Sequence, residues 1–434
     1  MNKKRLFIRS AVAIAVAASS TSALAAGFQL NAQSATGIGR AFAGDAVIAD
    51  NAAVMARNPA AMALFDEKVF SIGFETITTD IKVSDAEYCG PACELTGGLV
   101  PATSVEDTDD VGSTSIAPNI HFIMPLNEKF AVGLNAYSNF GTKTEFGDDY
   151  VAAEYGGLTD VKSFNLGLAG SYRLNDQWSF GAGVDVIYAE GTLIRKPSTQ
   201  VTGALALNPQ TRPLAGLPLL SVEGATGIEV GFNVGTVYEL DENNRFGFAY
   251  RYSPEFEAED DKGQKITLPL PDIAEFSGFH KIENTKFAVH YSVQYIGWGD
   301  FDKISFSNLQ GSVVSGQYDK PYEWQDGWHY SIGGTYYLNN DWTLRAGYMY
   351  DTSAQDELTS ISVPDSDRQW FSTGLTYNLD KSSTIDFGFT YLMGEKVSVN
   401  ESTPNPLNGS TLSSVSATTQ ANAILMGLQY SRTF

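Results

Sequence analysis

The side chains best suited to covalent, redox or metal chemistry are few in this 434-residue chain: two cysteines and four histidines. Cys89 and Cys93, in Cys89-Gly-Pro-Ala-Cys93, suit a small loop disulfide in an oxidising compartment. A metal centre there would want further ligands, and no histidine is near in sequence, so no metal is expected. His121, His290 and His329 fall on the polar phase of alternating segments. None sits in a recognisable nucleophile motif, so no catalytic residue is assigned and no enzyme is expected. Gly37-x-Gly39 lacks the preceding strand and the Lys-Ser/Thr of a nucleotide loop, and no cofactor is expected. Fifty acidic against 28 basic residues leave a net charge of −22, which excludes nucleic acid as a natural partner.

The elements that would position these groups begin after a leader. Lys3, Lys4 and Arg5 precede an apolar stretch at 11–18, and Ala23-Leu24-Ala25 offers a small-x-small cleavage signal before Ala26. Residues 1–25 therefore read as a secretory signal. No later segment reaches the roughly 18 apolar residues of a membrane-spanning helix. Instead, period-two alternation recurs at 164–174, 178–188, 228–240, 328–338, 342–350, 371–379 and 385–393. In 228–240 the apolar face carries Ile228, Val230, Phe232 and Val234, and the other face Glu229, Gly231, Asn233 and Gly235. The apolar faces begin and end on Trp, Tyr or Phe, as aromatic girdles at two bilayer interfaces require.

Asn- and Asp-rich turns follow at Asn175-Asp176, Asn339-Asn340-Asp341, 241–244, 380–383 and 127–129. Asn and Asp tolerate the left-handed conformation that tight hairpins demand, so these read as short periplasmic turns. The expected fold is an all-β transmembrane antiparallel barrel of about 14 strands, residues 69–434, in a Gram-negative outer membrane. Its last strand ends at Phe434, a terminal aromatic like the signal read by the barrel assembly machinery. Acidic clusters at 106–110 and 257–261 lack calcium-loop spacing. Solvated loops and ion bridging to lipopolysaccharide are the two readings. Two long loops, 197–226 and 258–276, carry apolar residues where water is expected, among them Leu214, Leu217 and Leu268. Exposed apolar patches of this kind mark a binding surface or a self-packed lid.

Residues 26–68 differ from the rest, being rich in Gly and Ala and too short for an independent domain. They read as a plug packed in the bore. Asp45 is expected to cap a short helix that Pro59 stops.

Here a resemblance becomes specific. Ala26-Gly-Phe-Gln-Leu-Asn31, Gly37-x-Gly39-Arg40-Ala41, Ile48-Ala-Asp50 and Arg57-Asn-Pro-Ala60 resemble the N-terminal hatch of the FadL family of long-chain fatty-acid transporters. Pro118-Asn-x-His-Phe122, Ser138-Asn-Phe-Gly141, Thr144-Glu-Phe146, Thr267-Leu-x-Leu-Pro271 and 364–370 extend the likeness along the mature chain. The resemblance implies a 14-stranded barrel with a hatch containing short helices. It implies passive, ligand-gated uptake of a hydrophobic small molecule and its lateral release into outer-membrane lipid. A long-chain fatty acid is the first expected cargo, and an aromatic or aliphatic hydrocarbon is the alternative. By the same resemblance Arg195 faces the ligand head group, a second position of that pocket falls at Gln325, and Ala26 and Phe28 lie at its base. Arg195 can equally be an ordinary lumen or interfacial arginine. Asn58, Pro59 and Ala60 match a hatch signature facing a kink in the third strand, whose counterpart is Phe140-Gly141. A plugged barrel works as a monomer.

Overall fold

In the computed structural model, which describes residues 27–404 and 409–434, 14 antiparallel strands close into a barrel. The expected leader and Ala26 lie outside the described residues. The wall runs through β1 (Val69–Cys89), β2 (Thr114–Pro125), β3 (Phe130–Tyr137), β4 (Leu158–Arg173), β5 (Trp178–Arg195) and β6 (Leu220–Glu239). It continues through β7 (Asn244–Tyr252), β8 (Ile273–Lys281), β9 (Phe287–Ile296), β10 (Gly327–Tyr337) and β11 (Trp342–Asp351). It ends with β12 (Arg368–Asn378), β13 (Ser383–Gly394) and β14 (Thr411–Thr433). Each strand pairs with its neighbours in order, and β1 pairs with β14 from Val69↔Thr433 to Cys89↔Ser414 to shut the ring.

The alternation explains which way the wall faces. Ile228 and Val230 are 65% and 57% exposed, while Gly231 and Asn233 between the outward residues are buried. An apolar face turned outward over the whole ring is stable only against lipid. Aromatic pairs ring the short-turn end: Trp178 with Tyr238, Phe130 with Tyr172, Phe287 with Tyr336 and Trp342 with Tyr377, at 4.6–4.9 Å between centroids.

The short turns work differently from expectation. None of Asn127, Asn175, Asp241, Asn339 and Asp380 has positive φ. Each instead accepts backbone N–H groups on its side chain. Asn175 takes those of Gln177 and Trp178 at 2.9 and 2.8 Å, and Asn339 those of Asp341 and Trp342 at 2.9 Å each. Asn and Asp are chosen here as hydrogen-bond acceptors that mimic a backbone turn.

Residues 27–62 are packed inside the ring, and 63–68 lead out, with Asp66, Glu67 and Lys68 exposed, to the first strand. Two single-turn helices, α1 (Ala35–Ile38) and α2 (Val54–Arg57), precede a 3-10 turn at Pro59–Leu64. The expected Asp45 helix cap is a correction: the Asp45 carboxylate accepts from Arg40 Nε and Nη2 at 3.0 and 2.8 Å. α2 does end ahead of Pro59, at Arg57, with the pre-proline Asn58 extended; Pro59 then opens the 3-10 turn, with Asn58 capping through the Ala60 N–H at 3.0 Å. Proline suits a first helical position because its missing N–H would be unpaired there anyway. Arg40 also binds Asp50 at 2.8 Å, and wall residue Arg345 reaches Asp50 at 3.2 Å. Burial pushes the Asp50 carboxyl up, but Arg40 and Arg345 outweigh it and hold it below the usual carboxylate range.

Small residues let the plug touch the wall backbone to backbone. A Cβ at Gly181 would lie 2.3 Å from Ala60 N, and one at Gly235 would lie 2.0 Å from Asn58 Oδ1. Gly235→Ala is therefore expected to destabilise the protein by about 1–3 kcal/mol, visible as a lower thermal midpoint in detergent. An unchanged midpoint would mean that Asn58 has room to retreat.

The wall has one break. β2 pairs with β3 only from Ile120↔Ala136 to Pro125↔Ala131. After Tyr137 the third strand leaves the ladder and resumes at Gly141–Glu145, paired there with β4 alone. Thr114–Asn119 consequently face a gap. Pro118, with no N–H to strand, lies on that unpartnered stretch. The amino-terminal arm supplies bonds that β2 does not: Leu30 N donates to Asn139 O at 2.6 Å and Gly141 N to Phe28 O at 2.9 Å.

Candidate functional site

Segments distant in sequence meet above the plug. The ring of Phe28 is buried among Trp298 at 4.7 Å, Phe301 at 5.7 Å, Trp324 at 5.8 Å and Phe140 at 6.2 Å. Edge-on and tilted packing of this kind suits aromatic quadrupoles and makes a rigid apolar cage. Gly27 permits it: its φ is +63°, and a Cβ there would lie 2.5 Å from the Trp324 ring. Tyr322, 5.3 Å from Phe301, carries the cage outward.

Beyond Tyr322 lies a cavity of about 480 Å³ whose walls include Leu193, Arg195, Leu220, Tyr318, Lys320 and Glu401. Arg195 ends β5, and its guanidinium is fixed by the carbonyls of Leu158 and Ile194 at 2.8 and 2.9 Å and by Thr159 Oγ1 at 2.8 Å. Lys320 comes from the extramural hairpin of Lys303–Leu309 and Gly316–Pro321. Its ammonium sits 3.6 Å from the Glu401 carboxylate and 5.1 Å from the Tyr322 ring centre. The lining is mixed: Leu193, Leu219, Leu220 and Tyr322 are apolar, two cations, Arg195 and Lys320, face in, and three carboxylates, Glu154, Asp319 and Glu401, line it as well.

The placements of the other sequence-derived residues differ. Gln325 lies outside the cavity, exposed, with its N–H on Ala354 O at 2.8 Å. Tyr318, Lys320, Tyr322 and Trp324 share the buried phase of this segment, so Gln325 falls on the exposed phase with Glu323. Lys320 supplies the second cation instead. Period-two alternation of Tyr318, Lys320 and Tyr322 was the signal for it. Leu214 and Leu217 are half-buried in their loop, and Leu219 and Leu220 line the cavity in their place. Leu268 is buried in the same apolar cluster as Phe28, Phe256 and Phe306. Cys89 and Cys93 are joined in a disulfide beside the short helix α3 (Pro91–Leu95).

The kink and the hatch signature do not meet as expected. Asn58 Nδ2 donates to Ala46 O and to Thr236 O on β6, at 2.8 and 3.1 Å, and Ala60 lies against Gly181 on β5. The residues that hold Phe140 and Gly141 are Phe28, Gln29 and Leu30 of the arm, with Ser163 bracing Phe140 from β4. Adjacency inside a lumen depends on how the plug folds back, which no local pattern encodes.

Comparison with known proteins agrees with this architecture. Residues 16–434 match the family model described as outer membrane protein transport protein (OMPP1/FadL/TodX). The chain is 36% identical to the long-chain fatty acid transport protein of Salmonella typhi, over 92% of this chain and 95% of that one. It is 34% identical to outer membrane protein P1 of Haemophilus influenzae, over 99% of each. Among solved structures, a Pseudomonas aeruginosa FadL homologue superposes with a TM-score of 0.78 at 20% identity, covering 94% of this chain and 99% of that one. The Pseudomonas putida toluene transporter TodX gives 0.61 at 21% identity, covering 88% and 94%. The barrel, its outward apolar belt and its stoppered bore thus belong to an outer-membrane transporter rather than an enzyme, and this chain is a member of the OMPP1/FadL/TodX family.

Proposed function

We propose that the protein imports long-chain fatty acids passively: apolar loops capture the chain, the caged pocket holds it, and the break in β3 releases it sideways into lipid. One observation carries the reading. A single buried apolar cluster runs from Leu193 and Leu220 at the cavity, through Tyr322, Trp324 and Phe28, to Phe140 at the break. The names of the curated relatives support the cargo.

Transfer of the acyl chain from water supplies about 0.8 kcal/mol per CH₂. The arm is held at the break by two backbone hydrogen bonds, each worth about 0.5–1.5 kcal/mol net. Displacing the Phe28 ring from its cage costs a further few kcal/mol, so roughly half a dozen or more methylenes must enter to offset both. Phe28 is both cage wall and arm, so displacing it frees the break. No nucleotide is required.

Arg195→Ala is expected to weaken oleate binding roughly tenfold, a loss of about 1.4 kcal/mol, while leaving oleyl alcohol unaffected. The decisive experiment is labelled-oleate uptake by cells lacking and then regaining the protein, with toluene as competitor. Restored uptake that toluene does not compete supports fatty-acid import. Toluene uptake without oleate uptake would replace it with the hydrocarbon reading, which the partial cancellation of Lys320 by Glu401 favours.

A further inference from the structure

Three carboxylates line the cavity: Asp319 pairs with Lys303, Glu154 is held by Tyr88, Ser198 and Ser413, and Glu401 is the one that faces Lys320. It lies on the extramural strand Val397–Pro404, which pairs with β14 above the membrane belt, and its side chain is 12% exposed. One carboxylate oxygen, Oε2, faces Lys320 Nζ at 3.6 Å. The other, Oε1, accepts the N–H of Ile361 at 2.6 Å. Ile361 belongs to the loop between β11 and β12, whose Leu358, Thr359 and Ser360 line the same cavity. A neighbouring bond, Asn400 N to Thr359 Oγ1 at 3.3 Å, ties strand and loop again. Glu401 therefore touches the cavity's lysine and the cavity's lid at once.

We propose that Glu401 is a resident stand-in for the ligand carboxylate, holding Lys320 in the empty pocket and being exchanged when an acid binds. The inference rests on the uptake reading above and names what sets its head-group selectivity. A buried ammonium left without a partner is costly, so an empty pocket needs an internal anion. An incoming carboxylate takes over Lys320 and repels Glu401. A neutral head group cannot make that exchange and leaves the pair intact. The repulsion lowers affinity for acids below what Arg195 and Lys320 would give alone, which lets a carrier release its cargo. Loosening of the Ile361 contact would accompany the exchange, since both contacts share one carboxylate.

The test compares oleate with oleyl alcohol on full-length protein in detergent. Glu401→Gln keeps an oxygen for the Ile361 N–H and removes the charge. It is expected to tighten oleate binding roughly three- to tenfold and leave oleyl alcohol unchanged. Equal shifts for both ligands, or no shift for oleate, would overturn the assignment while the uptake reading stands. Failure of the unaltered protein to bind either ligand would overturn both. A second measurement needs no variant: zero-length carbodiimide coupling of Lys320 to Glu401, read by mass spectrometry. Coupling should form in ligand-free protein and be suppressed by oleate but not by oleyl alcohol. Coupling indifferent to oleate would overturn the exchange.

Discussion

Oleate uptake is expected to fall to the level of cells lacking the protein when Gln29→Cys and Phe140→Cys are joined by a disulfide, and to return on reduction. Gln29 and Phe140 face each other as an isolated antiparallel pair. The flanking bonds, Leu30 N to Asn139 O and Gly141 N to Phe28 O, make it a non-hydrogen-bonded pair. Such pairs bring Cα atoms to about 4.5 Å, within disulfide range. The lock keeps the arm across the break and leaves the Arg195–Lys320 cavity untouched, so oleate should still bind there in detergent, weakened by the cage contacts its chain no longer reaches. Each single-cysteine variant controls for loss of the side chain. Unaltered protein treated with reductant controls for the Cys89–Cys93 bond. Full uptake through a protein shown to be cross-linked would end the lateral-release reading.

Arg57→Leu should loosen the plug by about 3–5 kcal/mol, because it leaves a carboxylate buried without its cation. Arg57 donates to Glu275 on β8 at 2.7 Å, and their side chains are 8% and 4% exposed. The same guanidinium bonds Asn31 at 2.7 Å, so it ties the arm to the wall as well. The expected readout is new ion conductance in planar bilayers, where the unaltered protein conducts little. Arg57→Met with Glu275→Met removes both charges and should recover most of the loss. Conductance unchanged in the single variant would mean that the pair does not hold the plug.

Much of the wall was legible because its code is local. Alternation at 228–240 and its counterparts fixes which residues meet lipid, whatever the strand order. The terminal aromatics of those runs mark the girdles, and the Asn- and Asp-rich turns mark one rim. The mechanism assigned to those turns was wrong, since an acceptor side chain and a left-handed backbone select the same residue types. The pocket was legible only in outline. Its walls come from the arm, β5, the loop after β9, the 303–321 hairpin and the 397–404 strand, which sequence order separates by up to some 370 positions. Trp298, Phe301 and Trp324 were not singled out from the sequence, since nothing local says they surround Phe28. Lys320 rather than Gln325 meets the cavity because the two stand on opposite phases of one alternating segment. Asn58 matched a motif but packs on β5 and β6, since the plug's path through the bore is set by lumen glycines on many strands.

The pairing of Val69 with Thr433 carries a consequence for biogenesis. The seam joins the earliest wall residues to the last, so the cylinder cannot be completed before the whole polypeptide has been delivered. By then the bore's contents must already be seated. At Gly181 and Gly235 there is no room between plug and wall even for an added methyl group. A ring closed around so tight a filling is expected to need that filling during assembly, so defects in the arm should surface as insertion failures before they surface as leaks.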